Sequence, residues 1–251
     1  MTNVNKKPRV LIYDIETSYT VGAVWGLYDQ NVATVLREPY ILTVAYKWLG
    51  EKKTHVISLP DFPGYKKDKR NDYSLVKCLH ELFSQADIII AHNGNSFDQK
   101  WCYARFIVHG LVPPSPSQYI DTKVIAKNKF RFNSNSLNNL GKYLGCGQKL
   151  DTGGIQLWVD CIENDKKEAW KKMMKYNIQD VVLLEQVYLR MLPYITNHPN
   201  YGLYIGERSV CPNCGSKQLQ SRGVKKGKRQ WYCNDCGSWH TSQDKDGAQV
   251  K

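Results

Sequence analysis

The chain has 251 residues, 42% of them hydrophobic: enough for one good-sized domain and a smaller unit, and too apolar for wholesale disorder. Its 35 Lys and Arg against 23 Asp and Glu give a formal net charge of +12, which favours a polyanionic partner, nucleic acid ahead of a membrane surface. No apolar run reaches the length of about 18 residues that a membrane span needs, and the opening MTNVNKKPRVLIYD, a basic start with a short apolar run ending in an acid, does not read as a secretory leader.

In chain order, RVLIYDIE reads as a buried strand ending in acids, and YILTVAYKWLG and KTHVISL as two more strands rich in β-branched and aromatic residues. Between the first two lies SYTVGAVWGLYDQNVATVLREPY, longer than a hairpin loop needs to be. The run Tyr65 to Tyr73 reads as a solvated basic loop. DYSLVKCLHELFSQ fits an amphipathic helix, ADIIIAHNG a buried strand with a loop, and SFDQKWCYARFIVHGL a helix opened by Ser96 and closed by Gly110. Asp121 reads as a helix N-cap, and NSLNNLGKYLG as a short helix capped by Asn135 or Ser136 and ended by Gly145. A long helix is expected from near Lys166 to about Leu192. Strands first, then strands alternating with helices, imply an α/β fold: a mixed sheet with helices packed on its faces. The Asn-, Gly- and Tyr-rich stretch 197–209 has no clear period and is taken as a linker between a domain at 1–196 and a unit at 210–251.

Four acids stand out. Asp14 and Glu16, two apart on a strand, point to one face, where two carboxylates repel unless a cation lies between them. A strand end entering solvent is the plainer reading of that pair alone. Asp98 has an ordinary alternative too, because an acid in a helix's first turn gains roughly 0.3–1 kcal/mol from the dipole. Asp180 is harder to explain so simply. It lies near the apolar stripe of KYNIQDVVLLEQV, one turn from Tyr176, and an unpaired buried carboxylate is costly. Together Asp14, Glu16, Asp98 and Asp180 could supply oxygen ligands to two Mg²⁺ (or Mn²⁺) ions, which keep several waters and need few carboxylates. Two such ions about 3.5–4 Å apart clamp the attacking and leaving oxygens of a phosphoryl displacement. Tyr176 could then hold the attacking water.

YDIET, HNGNSFD and YNIQD resemble the three exonuclease motifs of the DEDD superfamily, which has an RNase H-like fold. The Tyr-x-x-x-Asp form of the third resembles the DEDDy branch, which includes the proofreading domains of family B DNA polymerases and RNase D. With DTKVIAK and NSLNNLGKYLG between the second and third motifs, the resemblance covers about residues 9–192. It implies a 3′→5′ exonuclease hydrolysing phosphodiester bonds, expected on single-stranded DNA ends. Asp14 would bridge both metals, Glu16 and Asp180 would hold the ion that carries the water, and Asp98 would serve the other. The compact chain looks most like the phage and YprB-like members, without a polymerase domain or the helical nucleic-acid-binding domain of RNase D. An exoribonuclease and a catalytically silent nucleic-acid-binding module stay open as alternatives. Asn93 is a candidate polar neighbour of the metals. Trp25 and Tyr28 could stack on terminal bases, or simply pack in the core.

Cys78, Cys102, Cys146 and Cys161 are scattered, which with no leader suggests buried thiols in a reducing, cytoplasmic setting. Cys211, Cys214, Cys233 and Cys236 instead form C-x₂-C-x₁₈-C-x₂-C, the spacing of a closed tetrahedral site for one structural Zn²⁺. A tail this short has no core of its own and would depend on the ion to fold. Lys225, Lys226, Lys228 and Arg229 interleave with Trp231 in a segment that resembles the zinc ribbons of DNA-binding proteins. From Cys211 onward eight Lys and Arg face three Asp, so the unit stays basic even with zinc bound, as phosphate contact requires.

Overall fold

The computed structural model describes residues 6–28 and 30–242. The expectations for residues 1–5, and the charges of Asp244, Lys245, Asp246 and Lys251, lie outside them. Five strands form a mixed sheet: β1 (Val10–Thr17), β4 (Ile41–Trp48), β5 (His55–Ser58), β6 (Ile88–Ala91) and β7 (Gln118–Asp121), in the order β5-β4-β1-β6-β7. β1 is antiparallel to β4 on one side and parallel to β6 on the other. The near-continuous apolar runs of β1 and β6 follow from burial on both faces. Leu11, Tyr13, Ile15 and Ile89 enter one core cluster, while Val10, Ile12, Ile88 and Ile90 enter another. Helices α1 (Tyr73–Gln85) and α2 (Asp98–Val108) cover the first face; α3 (Thr122–Lys129) and α4 (Leu137–Tyr143) cover the second. The long α6 (Lys167–Met191) reaches both, with Met173 in one cluster and Val181, Leu184 and Val187 in the other. This is the mixed sheet with helices on both faces expected from the sequence.

Local differences have identifiable causes. The insert after β1 carries a short hairpin, β2 (Val21–Ala23) with β3 (Thr34–Arg37), too brief for periodicity to reveal. Its base is fixed from a distance: the Tyr19 hydroxyl donates to Glu163 Oε1 at 2.7 Å, and the Arg37 guanidinium pairs with the same carboxylate. Glu163 follows α5 (Gln156–Ile162), a helix the sequence did not announce. Helix α2 is capped by Phe97, not opened by Ser96, because Asn93 turns the chain at φ 67° and its carbonyl accepts from both Ser96 and Phe97 amides. Ser136 caps α4, and Asp121 caps α3.

Segment 197–209 contains α7 (Tyr201–Ile205) and is packed. The Tyr188 hydroxyl lies 2.8 Å from His198 Nε2, and Tyr201 joins the second core cluster. Beyond it β8 (Leu219–Lys225), β9 (Lys228–Cys233) and β10 (Trp239–Ser242) form a second sheet in the order β10-β9-β8. The buried Asn213 amide donates to the carbonyls of Leu192 and Ile195 at 3.1 and 3.0 Å, tying this unit to the chain just past α6. Among the described residues no helix is long and apolar enough to cross a membrane.

Candidate active site and cysteine cluster

The end of β1, the start of α2 and the middle of α6 meet at one place. Carboxylate oxygens of Asp14, Glu16 and Asp180 lie within 4.8 Å of one another. Asp98 stands beside this trio: it is buried, its Oδ1 accepts from the Ile15 amide at 3.4 Å, and its charge is the strongest like-charge influence on Asp14. The alternation of β1 sends Asp14 and Glu16 the same way, as the spacing implied. Asp180 is 1% exposed.

The electrostatics show a site short of positive charge. Burial pushes the Asp14 carboxyl well above the usual range, and Asp98, Glu16 and Asp180 push it further. Glu16 is pushed up to about 8 by burial and then by Asp180. Asp98 rises to about 6 through burial, partly offset by backbone N–H donors. Asp180 is also raised by burial, with Lys149 opposing. Of the two Asp180 oxygens, Oδ2 accepts from Lys149 Nζ at 2.6 Å, while Oδ1 is buried without a hydrogen-bond partner. An orphaned carboxylate oxygen in a cluster of mutually repelling acids fits the binding of a hard cation.

Three contributors escaped the sequence reading. Lys149, in the loop after α4, also donates to the Tyr176 hydroxyl at 3.0 Å, and the neighbouring acids hold its ammonium protonated against the cost of burial. Trp158 of α5 packs edge-on against Tyr176, with ring centroids 6.4 Å apart, and donates to the Thr17 carbonyl at 3.1 Å. Asn177, fully buried, donates to Asp14 Oδ2 at 2.7 Å. A lone Lys in an aperiodic loop carries no local signal. Asn177 did carry one, a carboxamide on the apolar side of a helix.

The remaining expected residues divide. The Asn93 amide N–H donates to Asp121 Oδ1 at 2.9 Å and that of Asn95 to Oδ2 at 3.1 Å, so the α3 cap also braces the loop leading to Asp98. Trp25 and Tyr28 are 92% and 82% exposed at the hairpin tip, which overturns the core-packing reading for both. Lys225, Lys226 and Lys228 are exposed around the β8–β9 turn, where Lys226 and Gly227 both have positive φ, as a two-residue type I′ hairpin demands. Arg229 is half-buried and donates to Ser221 Oγ at 3.2 Å, and Trp231 is half-buried with its indole N–H on Ser242 Oγ at 3.1 Å.

The four sulfurs of Cys211, Cys214, Cys233 and Cys236 lie within 4.8 Å of one another. Each C-x₂-C pair closes the same turn: Gly215 N–H donates to Cys211 O at 2.8 Å and Gly237 N–H to Cys233 O at 2.9 Å, both glycines at positive φ. Four thiols brought together on two matched turns fit one tetrahedral soft-ligand ion.

A family model described as RNase_H superfamily matches residues 37–192, more than half of the chain, and the chain belongs to that superfamily. The matched segment includes Asp98, Lys149, Tyr176 and Asp180 and begins after Asp14 and Glu16. The fold is similar to the structure of the family B DNA polymerase from the hyperthermophilic archaeon Pyrobaculum calidifontis, with a TM-score of 0.55 at 15% identity, over 75% of this chain and 25% of that one. No curated protein matches the sequence. Superfamily membership together with the acidic cluster supports a nuclease.

Proposed function

We propose that this chain is a metal-dependent 3′→5′ exonuclease of the DEDDy type, acting on single-stranded DNA ends, with a C-terminal zinc ribbon that grips the substrate. The observation that carries the reading is the convergence of Asp14, Glu16 and Asp180, together with an Asp180 oxygen that has no hydrogen-bond partner. Asp14, Glu16, Asp98 and Asp180 would hold two Mg²⁺ or Mn²⁺ ions, which when bound stabilise charge on the attacking and leaving oxygens of the scissile phosphate. Tyr176, its phenol held by Lys149 and its ring by Trp158, orients the attacking water. Lys149 adds the positive charge that a phosphate needs beside four acids. Cys211, Cys214, Cys233 and Cys236 would hold one Zn²⁺ with no open position, which makes that ion structural. Incubating a 3′-labelled single strand with the protein and Mg²⁺, beside the matched RNA, tests the activity and the choice of sugar together. Release of mononucleotides from DNA is expected. Equal digestion of RNA would move the reading to an exoribonuclease, and no digestion of either to a binding module.

Two variants probe finer roles. Tyr176→Phe keeps the ring against Trp158 and removes only the hydroxyl. Its melting temperature should stay near wild type while the single-turnover rate falls about 10²-fold or more, the usual contribution of a water-positioning group. An unchanged rate would reduce Tyr176 to packing. At the hairpin tip, Trp25→Ala and Tyr28→Ala should each weaken single-strand affinity by roughly 1–3 kcal/mol, the worth of one base stacked on an aromatic ring. Such exposed rings add little to stability, so melting should not move. Fluorescence anisotropy with a labelled oligonucleotide reads the loss, and wild-type affinity in both variants would remove the hairpin from the substrate path.

A further inference from the structure

Helix α6 crosses β4 through two polar contacts in an otherwise apolar interface. The Thr43 hydroxyl donates to Asn177 Oδ1 at 2.9 Å, and the Lys47 ammonium pairs with Glu185 at 2.5 Å. Four residues along a strand cover about 13 Å, and eight along a helix about 12 Å. The two contacts therefore match in spacing and fix the register of helix on strand at both points. Thr43 and Asn177 are each fully buried, so no solvent competes for their hydrogen bonds.

An Asn side chain has a donor end and an acceptor end, and only the donor end suits a carboxylate. The Thr43 hydroxyl occupies the acceptor end. The donor end, Nδ2, then lies 2.7 Å from Asp14 Oδ2 and 3.3 Å from the Asp14 carbonyl. A flipped amide would set its oxygen against the carboxylate. We propose that Asn177, oriented by Thr43, is the positioning residue for Asp14, engaging one carboxylate oxygen so that the other is presented to the cation shared with Glu16 and Asp180. The inference rests on the metal reading of the site. It adds two residues that touch neither metal nor substrate and that act through Asp14.

Mn²⁺ affinity of the full chain, with zinc retained at the cysteines, is the direct test. Free Mn²⁺ is counted by electron paramagnetic resonance as the ion is titrated. Partners of this kind typically contribute 10–100-fold to metal affinity, and Thr43→Val and Asn177→Leu are expected to weaken Mn²⁺ binding by about that factor. Thr43→Ser should bind as wild type. The order of the Thr43 variants is decisive, because Val keeps the shape and loses the hydroxyl, whereas Ser keeps the hydroxyl and loses a methyl group. If Ser proved the worse variant, or if Thr43→Val bound Mn²⁺ as wild type, Thr43 and Asn177 would be packing residues and the proposal would fall. Asp14→Ala separates this from failure of the metal reading. Wild-type Mn²⁺ binding by Asp14→Ala would overturn both, while loss of binding in Asp14→Ala with retention in Thr43→Val overturns the positioning role alone.

Discussion

Asp14→Ala is expected to abolish cleavage while leaving the protein folded and able to bind a single strand. The side chain sits among three other acids and is disfavoured as a carboxylate, by burial first and then by Asp98, Glu16 and Asp180. A metal ion contributes several kcal/mol of transition-state charge stabilisation. Each 1.36 kcal/mol is tenfold in rate, so loss of a shared ligand should cost on the order of 10³-fold or more. The same electrostatics set the expectation for stability. Removing one of several acids that repel one another offsets the loss of the acceptor for the buried Asn177 Nδ2, so the metal-free melting temperature should change little, and the stabilisation expected from Mg²⁺ in wild type should disappear. Asp180→Ala should be equally inactive, but it also strips Lys149 of its carboxylate partner, so its metal-free stability should not rise. Turnover by either variant at the wild-type rate would refute the assignment.

The second large effect is expected at the cysteines. Structural zinc contributes about 10–16 kcal/mol to the folding of small modules, and the second sheet has little core beyond the cluster itself. Cys214→Ser should therefore unfold residues 210–242, with loss of bound zinc and of the near-ultraviolet signal of Trp231 and Trp239. Chemistry on a saturating strand should survive, since the acids all lie within residues 14–180. Affinity should fall most at low salt, and the difference from wild type should shrink as salt rises, because phosphate contacts release counterions. A variant that binds with the wild-type salt dependence would give the basic turn around Lys225 no part in binding. Cutting the chain at Ser209 would bare the same junction. Val210 and Cys211 are buried and Asn213 ties the unit to Leu192 and Ile195, so a cut would uncover apolar surface at Tyr201 and Leu192 as well as removing the ribbon.

The residues that could be read from the sequence are those whose meaning is local. Asp14 and Glu16 show themselves by strand alternation, Asp180 by standing on an apolar helical stripe, and the cysteines by spacing. The two-faced burial of β1 and β6 is written in their near-continuous apolar runs. What escaped depends on partners far away in sequence. Lys149 matters because the chain folds it against Asp180, 31 residues on, and Asn177 because of Asp14, 163 residues back. The hairpin is held at its base by Glu163, which only the tertiary structure supplies. Segment 197–209 lacks a period because it packs through isolated side chains, His198 and Tyr201, rather than along a face.

The place of β1 in the sheet has a consequence for how such a site can change. With an antiparallel neighbour on one side and a parallel one on the other, β1 leaves the sheet at the same end as β6, β1 toward the hairpin and β6 toward the loop before α2. The register slips between Glu16 and Thr17, and the chain leaves for the hairpin only past Ser18, whose N–H still donates to the Tyr40 carbonyl, while the pairing of Asp14 and Glu16 with β4 stays intact. The hairpin can therefore lengthen, shorten or exchange its aromatic tip without disturbing the strand that aims the carboxylates. Under the proposed function, the grip on the substrate and the cleavage chemistry should therefore be separable by mutation.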